Sequence, residues 1–311
     1  MTANPPAPRL LAKLILAARL ESALYRLMKL AALPARLIHA FARPRPDPLS
    51  YSDLLDMLPK YRTIPRPTFD EEDVRQLKWA RRVAQLARAA GSSRILEVGC
   101  GRGMASLYIH QRGFHIDAND MVDRLDPRVK AAGLCITLGD ACAGLPYADA
   151  AFDLVFSINS LEHFDPPEAA IDEILRVLRP GGLFYAAASP LYFAPWGLHA
   201  NRRLGMPYPQ LLFTEADIQR FVDENSSRLA HTYSPGSDRT TIAPYLNRRS
   251  IDDYRRIFAE RRPKMAMLAY AERPDFSGWE IFFRFPGLLK ARSPSFDSLL
   301  VTMIKFLAVR R

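Results

Sequence analysis

The chain has 311 residues and a hydrophobic content of 49%, enough for a full globular core and an appendage. Its net charge of +10 admits nucleic acid, anionic lipid or an acidic substrate as partner. Three cysteines, Cys100, Cys135 and Cys142, lack C-x-x-C spacing; they support neither a disulfide framework nor a zinc site, and no metal is expected.

Residues 1 to about 45 are rich in Leu, Ala and Arg, and helical from Leu10 to Leu33 with a break at Pro34. Eight basic residues lie before position 46, against Glu21 alone, and the apolar residues do not keep to one helical face. Such a helix can lie in a membrane interface. It can equally pack on its own domain with arginines reaching outward. Lys13 and Arg19 interrupt the apolar stretch, so neither a signal peptide nor a transmembrane helix is expected. Residues 43–48 read as an extended proline linker.

Thr68-x-x-Glu71 is a capping box for a helix from Phe69 to Ala90, closed by Gly91. Ile95 to Val98 is a strand carrying Glu97, and it runs into Gly99-Cys100-Gly101-Arg102-Gly103-Met104. Glycines are needed there for positive φ and for a ligand lying against bare backbone. G-x-G-x-G is neither the dinucleotide fingerprint nor a P-loop. A helix from Met104 to Gln111 follows, with Gly113 after it, then a strand from Phe114 to Asp120. Asp120 lies 21 residues beyond Gly99, where mononucleotide folds grip a ribose diol; the bland alternative is a turn cap. A third strand, Leu134 to Leu138, leads to Gly139-Asp140-Ala141, and a fourth spans Asp153 to Ser157. Asp165 as N-cap, with Pro166 after it, starts a helix bearing Ile171, Ile174, Leu175 and Leu178. Arg179-Pro180-Gly181-Gly182 launches a fifth strand, Leu183 to Ala188.

From Ser189 an aromatic, proline-punctuated loop carries Tyr192, Phe193, Trp196 and His199. Thr214-x-x-Asp217 and Ser250-x-x-Asp253 cap two short helices. Lys264 to Ala271 and Leu299 to Val309 read as strands, the second preferred over a basic amphipathic helix for its Val301, Thr302, Ile304 and Phe306.

In order, "ILEVGCGRG", Asp120, Asp140, "LPYADAAFDLVF", "LEH" and "LRPGG" resemble the motifs of the class I S-adenosylmethionine-dependent methyltransferases, of the broad type 11 group. The resemblance covers Ile95 to Ala188. It implies an α/β, Rossmann-like, doubly wound seven-stranded sheet with an antiparallel last strand, plus an N-terminal helical extension and a substrate-side insertion. The division it implies is a basic extension and linker over 1–60 and a methyltransferase domain over 61–311, with core 92–188, insertion 189–250 and closing strands 264–311. It implies S-adenosyl-L-methionine as cofactor. Glu97 would support the turn and the methionine end, beside Gly99, Cys100, Gly101 and Gly103. Asp120 and Met121 would face the ribose and adenine, Asp140 and Ala141 the adenine, and Asn159 the end of the fourth strand.

Alkyl transfer from a sulfonium needs in-line positioning, and a hydroxyl acceptor gains from a base. His163 and His199 are the candidates, with pocket-shaping as the bland role for His163. The expected acceptor is a small molecule, a sugar or glycan, or a lipid-linked compound, methylated on oxygen. A cytoplasmic location is expected, with candidate peripheral contact to the inner membrane face through residues 9–42. Two rivals stand beside this. Nucleic-acid methylation would account for the charge, but Asn159-Ser160-Leu161-Glu162 replaces the [DNS]-P-P-[YF] that grips a flipped base. A catalytically inactive, partner-binding domain would predict eroded cofactor motifs, and these are present.

Overall fold

The computed structural model describes residues 8–61, 69–199, 204–225 and 246–311. In chain order the elements are α1 (Pro8–Leu30), α2 (Leu33–Phe41), α3 (Tyr51–Met57), α4 (Phe69–Ala90), β1 (Arg94–Val98), α5 (Met104–His110), β2 (His115–Asp120), α6 (Pro127–Ala131), β3 (Ile136–Leu138), β4 (Phe152–Ile158), α7 (Pro167–Val177) and β5 (Leu178–Ala188). Then come α8 (Pro209–Leu212), α9 (Glu215–Glu224), α10 (Ile251–Glu260), β6 (Met265–Pro274), α11 (Trp279–Arg284), α12 (Pro286–Arg292), α13 (Phe296–Leu300) and β7 (Val301–Arg310).

The seven strands form one sheet in the order β3-β2-β1-β4-β5-β7-β6. The first five are parallel, and β7 runs antiparallel to both β5 and β6. This is the doubly wound architecture expected from the sequence. Alternation along the strands sends Ile95, Leu154, Phe156 and Tyr185 to one face, under α4 and α5, and Leu96, Val155 and Phe184 to the other, under α7 and α10. Parallel strands are buried on both faces, so β1, β4 and β5 carry apolar residues at successive positions, whereas β2 departs from this with Asp117, Asn119 and Asp120.

The order reverses between β1 and β4, and there the carboxyl ends of the strands open a crevice. Asp153 fixes the opposite end. It accepts from the Ser93 and Arg94 amides and from Arg179, joining the starts of β1, β4 and β5. Burial alone would raise its pKa, but these donors outweigh it and hold the carboxyl at about 2.

One local expectation changes. The helix after β4 starts at Pro167, not at an Asp165 cap; Pro166 is the N-cap and makes no side-chain bond. A residue preceding proline is kept extended, and proline offers no capping oxygen. The Thr68 cap lies outside the described residues, whereas Gly91 closes α4 with φ +67 and the Ser92 amide bonded to the Ala87 carbonyl.

A second core stands beside the sheet. Ala32, Ala35, Leu54 and Met57 from the N-terminal segment share it with Leu198, Tyr208, Leu212, Ile218, Ile281 and Leu299. Residues 1–60 and the later insertions are therefore interleaved here. α1 lies on β6 and α4, held by ion pairs of Lys29 with Glu272 and Glu21 with Lys305. Among the described residues no helix is long and apolar enough to cross a membrane.

Asp153→Ala should lower unfolding free energy by roughly 2 kcal/mol at pH 7. A depressed carboxyl stabilises above its unfolded pKa, and that contribution fades as pH falls through about 2. Urea titrations at pH 7 and near pH 2 should show the gap closing; a pH-independent gap would contradict the assignment.

Candidate active site

The crevice is built on one hub. The Asn119 carbonyl at the tip of β2 accepts from the amides of Gly99 and Cys100, at 2.9 and 3.0 Å. Its side-chain amide donates to the carbonyls of Thr137 and Gly139 at the tip of β3. Next to it, Asp120 accepts from the Gly101 amide at 2.8 Å and from the Val122 amide at 3.2 Å. Three strand tips and the glycine turn are thus one unit. Asn119 is buried, and the sequence reading passed over it in favour of the neighbouring acids.

The three glycines do different work. A Cβ on Gly99 would stand 2.4 Å from Ser160 Oγ, and one on Gly103 would stand 2.7 Å from Leu125 Cδ2. Both are required by packing: Ser160 bonds back to the Gly99 carbonyl, and Gly103 lies under the segment leading into α6. Gly101 has φ +54 and nothing within 4 Å of such a Cβ. Only there does the turn present bare backbone to open space.

Around that space stand the other expected residues. Met121 and Leu138 are apolar yet 62% and 57% exposed, flanking Asp120 at the tips of β2 and β3. Asp140 accepts from the Cys142 amide, and Ala141 is buried beside it. Asn159 is exposed with φ +53, a conformation Asn tolerates. Glu97 is buried under the turn and accepts from Ser106 in α5. Burial raises its pKa to about 8 against the opposing Ser106 bonds. Cys100 is buried and its thiol pKa is pushed well up, so it is a turn residue and no nucleophile.

The open backbone at Gly101, two unsheltered apolar side chains and carboxylates on two adjacent strand tips fit a nucleoside carrying a ribose diol and a flat base.

Across the crevice, after β4, Glu162, His163 and His199 each bring one ligand atom within 4.8 Å of the other two. The two imidazoles meet edge to face, centroids 5.1 Å apart. His199 has φ +59, and its Nε2–H donates to the Pro190 carbonyl at 2.9 Å. A carbonyl can only accept, so Nε2 carries the proton and Nδ1 keeps its lone pair. Burial lowers the His199 pKa to about 4, so this neutral tautomer prevails at ordinary pH. Glu162 accepts from the Ser189 amide through Oε1, while Oε2 is buried with no hydrogen-bond partner. Burial lifts the Glu162 pKa to about 8.

The turn bearing Glu162 and His163 is clamped by Asn247, whose side chain donates to the carbonyls of Leu161 and Phe164, and by the Tyr254 hydroxyl, which donates to Leu161. Neither residue was singled out in the sequence, because a loop asparagine carries no local pattern. The aromatic loop is held rather than loose. Gln210 donates to the Tyr192 and Ala194 carbonyls, and Trp196 donates to Ser277. Tyr192 and Phe193 stack edge to face, and Phe193 packs on the second core.

Sheet order and glycine turn agree with the fold expected of a class I S-adenosylmethionine-dependent methyltransferase domain. Residues 96–186 match a protein-family model described as a methyltransferase domain. A fatty-acid O-methyltransferase of Mycolicibacterium smegmatis is 34% identical over 184 residues, 54% of this chain and 63% of its own. The O-methyltransferase rstn1 of Aspergillus nomiae is 31% identical over 122 residues, 36% and 53% of the two chains. The chain thus spans 63% and 53% of these two curated relatives. Among solved structures, an S-adenosylmethionine-dependent methyltransferase from Mesorhizobium loti aligns with a TM-score of 0.45 at 19% identity, over 76% of this chain and 98% of that one.

The glycines can be separated by experiment. Gly101→Ala should cost about 1 kcal/mol, the left-handed backbone penalty, while S-adenosylhomocysteine affinity measured by calorimetry falls by roughly tenfold or more. Gly99→Ala should lower the melting temperature far more. Equal cofactor affinity in Gly101→Ala and the parent would overturn the placement.

Proposed function

We propose that the protein transfers a methyl group from S-adenosylmethionine to an oxygen of a small, lipid-linked or otherwise apolar acceptor. The observation that carries this reading is the His199 tautomer: a neutral imidazole whose Nε2–H is held by the Pro190 carbonyl, which leaves the lone pair on Nδ1, in a ring that meets His163 edge to face. The bound cofactor supplies a methyl group activated on a sulfonium. Asp120, Asp140, Met121, Ala141 and Asn159 would hold its nucleoside, and Glu97, with the turn of Gly99, Cys100, Gly101 and Gly103, its amino-acid end.

The remaining chemistry belongs to the chain. As the acceptor hydroxyl becomes an ether oxygen, its proton passes to His199 Nδ1, and the Pro190 carbonyl keeps the ring oriented. His163 and the neutral Glu162 carboxyl border the same space and shape it. Tyr192 and Phe193, backed by the second core, supply an apolar wall for the acceptor. The fatty-acid O-methyltransferase of M. smegmatis supports an apolar acceptor, and the absence of a [DNS]-P-P-[YF] run after β4 argues against a flipped base. A sugar or glycan acceptor is the second choice within the same chemistry.

Labelled methyl transfer to a panel of fatty acids, hydroxylated lipids, glycans and RNA tests the acceptor class; turnover confined to RNA would overturn it. On an active hydroxyl acceptor, His199→Gln should lower kcat by roughly 10²-fold or more. A base with a pKa of about 4 is deprotonated above that value, so the kcat profile should be flat from about pH 5 upward. Chelating agents should leave the rate unchanged. A loss reversed by divalent cations would make Glu162, His163 and His199 a ligand set instead.

A further inference from the structure

α1 has two apolar faces. Leu11, Leu14, Ile15 and Ala18 turn inward onto α4 and the sheet. On the opposite side Leu16, Leu20, Leu24 and Leu27 follow at intervals of four, four and three, one stripe on a 3.6-residue helix. All four are more than half exposed. α2 continues the stripe with Leu33, Leu37 and Phe41, exposed from 51% at Leu33 to 84% at Phe41. Ten of the sixteen exposed large hydrophobic residues among the described ones lie between Leu10 and Phe41. Scattered surface leucines are ordinary; a continuous apolar strip over two helices is a contact surface.

Its charge says what covers it. Arg9 and Lys13 lie in line with the stripe at its N-terminal end, and Arg19 and Arg26 run along one flank, all exposed. The acids are turned away: Glu21, the one carboxylate of α1, pairs with Lys305 on β7, and α2 has none. The basic side chains that do meet acids, Lys29 and Arg36, pair inward with Glu272 and Asp297. An apolar strip bordered by cations complements a bilayer surface with anionic headgroups. A second copy on this face would bring two basic arrays together. The mixed apolar pattern of α1 in the sequence thus has a physical origin: one face packs, and the other remains for a partner.

We propose that the α1–α2 face docks the protein on an anionic lipid bilayer, the leucine stripe entering the headgroup boundary and Arg9, Lys13, Arg19 and Arg26 contacting lipid phosphates. Docking is distinct from methyl transfer and stands whether or not that reading holds. It also reaches the candidate acceptor side, since Ala32 and Ala35 pack in the core that backs Phe193.

The test is co-sedimentation of the full chain with phosphatidylcholine vesicles, with and without phosphatidylglycerol. Binding should require phosphatidylglycerol and weaken with salt. Leu20→Glu/Leu27→Glu should reduce the bound fraction by about tenfold or more, with an unchanged melting temperature, because both side chains face away from the domain. Should that variant fold poorly, Lys13→Glu/Arg26→Glu should still abolish the preference for phosphatidylglycerol. The proposal is overturned if the parent chain ignores both vesicle types, if these variants bind like it, or if ultracentrifugation shows a dimer that Leu20→Glu/Leu27→Glu dissociates.

Discussion

The hydrogen bonds around Asn119 and Asp120 are the constraint on which the site depends. A glycine turn at φ +78 and +54 is not a stable conformation in isolation, and its amides need acceptors. Here the acceptors are one carbonyl and one carboxylate at the tip of the neighbouring strand. Because β1 and β2 pair in register, with Val98 opposite Asn119, the turn emerges just where those acceptors stand. The Asn119 side chain extends the same lock to β3 and so to Asp140. Removing it would take this donor from the half-buried carbonyls of Thr137 and Gly139 and loosen the tip of β3.

The second side of the crevice obeys another rule. Glu162 and His199 are buried or half-buried without opposite charge nearby, so burial favours their neutral forms. A neutral imidazole can accept a proton, and a neutral carboxyl does not compete for it. The turn that holds Glu162 is stitched by Asn247, at the end of the insertion, and by Tyr254 just beyond it. On the proposed reading the parallel core would hold the cofactor and the later segments the acceptor; α2 and α3 pack in the same second core from the other end of the chain.

Much of this was legible in the sequence. Strand β1, the glycine turn, Asp120, Asp140 and the helix caps at Thr214 and Ser250 carry short-range signals: a hydrophobic run, a positive-φ residue, an oxygen three positions before an acid. The limits are also physical. Asn119 and Asn247 act through contacts 18 to 86 residues away in sequence, and no local pattern marks them. The roles of the three glycines look identical in a string, and only the neighbours of an added Cβ separate them. Helices α11 to α13 are short and take their stability from the second core, so periodicity gave no warning of them. The weak amphipathicity of α1 read as ambiguity and is instead the sum of two apolar faces.

The measurement closest to the central claim is a calorimetric titration of the intact protein with S-adenosylmethionine, set beside Asn119→Ala and Asp120→Ala. The account predicts one site of micromolar affinity in the parent chain. Asp120→Ala should abolish it while the fold persists, and Asn119→Ala should lose both affinity and stability. Unaltered affinity in Asp120→Ala, or no binding by the parent chain, would contradict it.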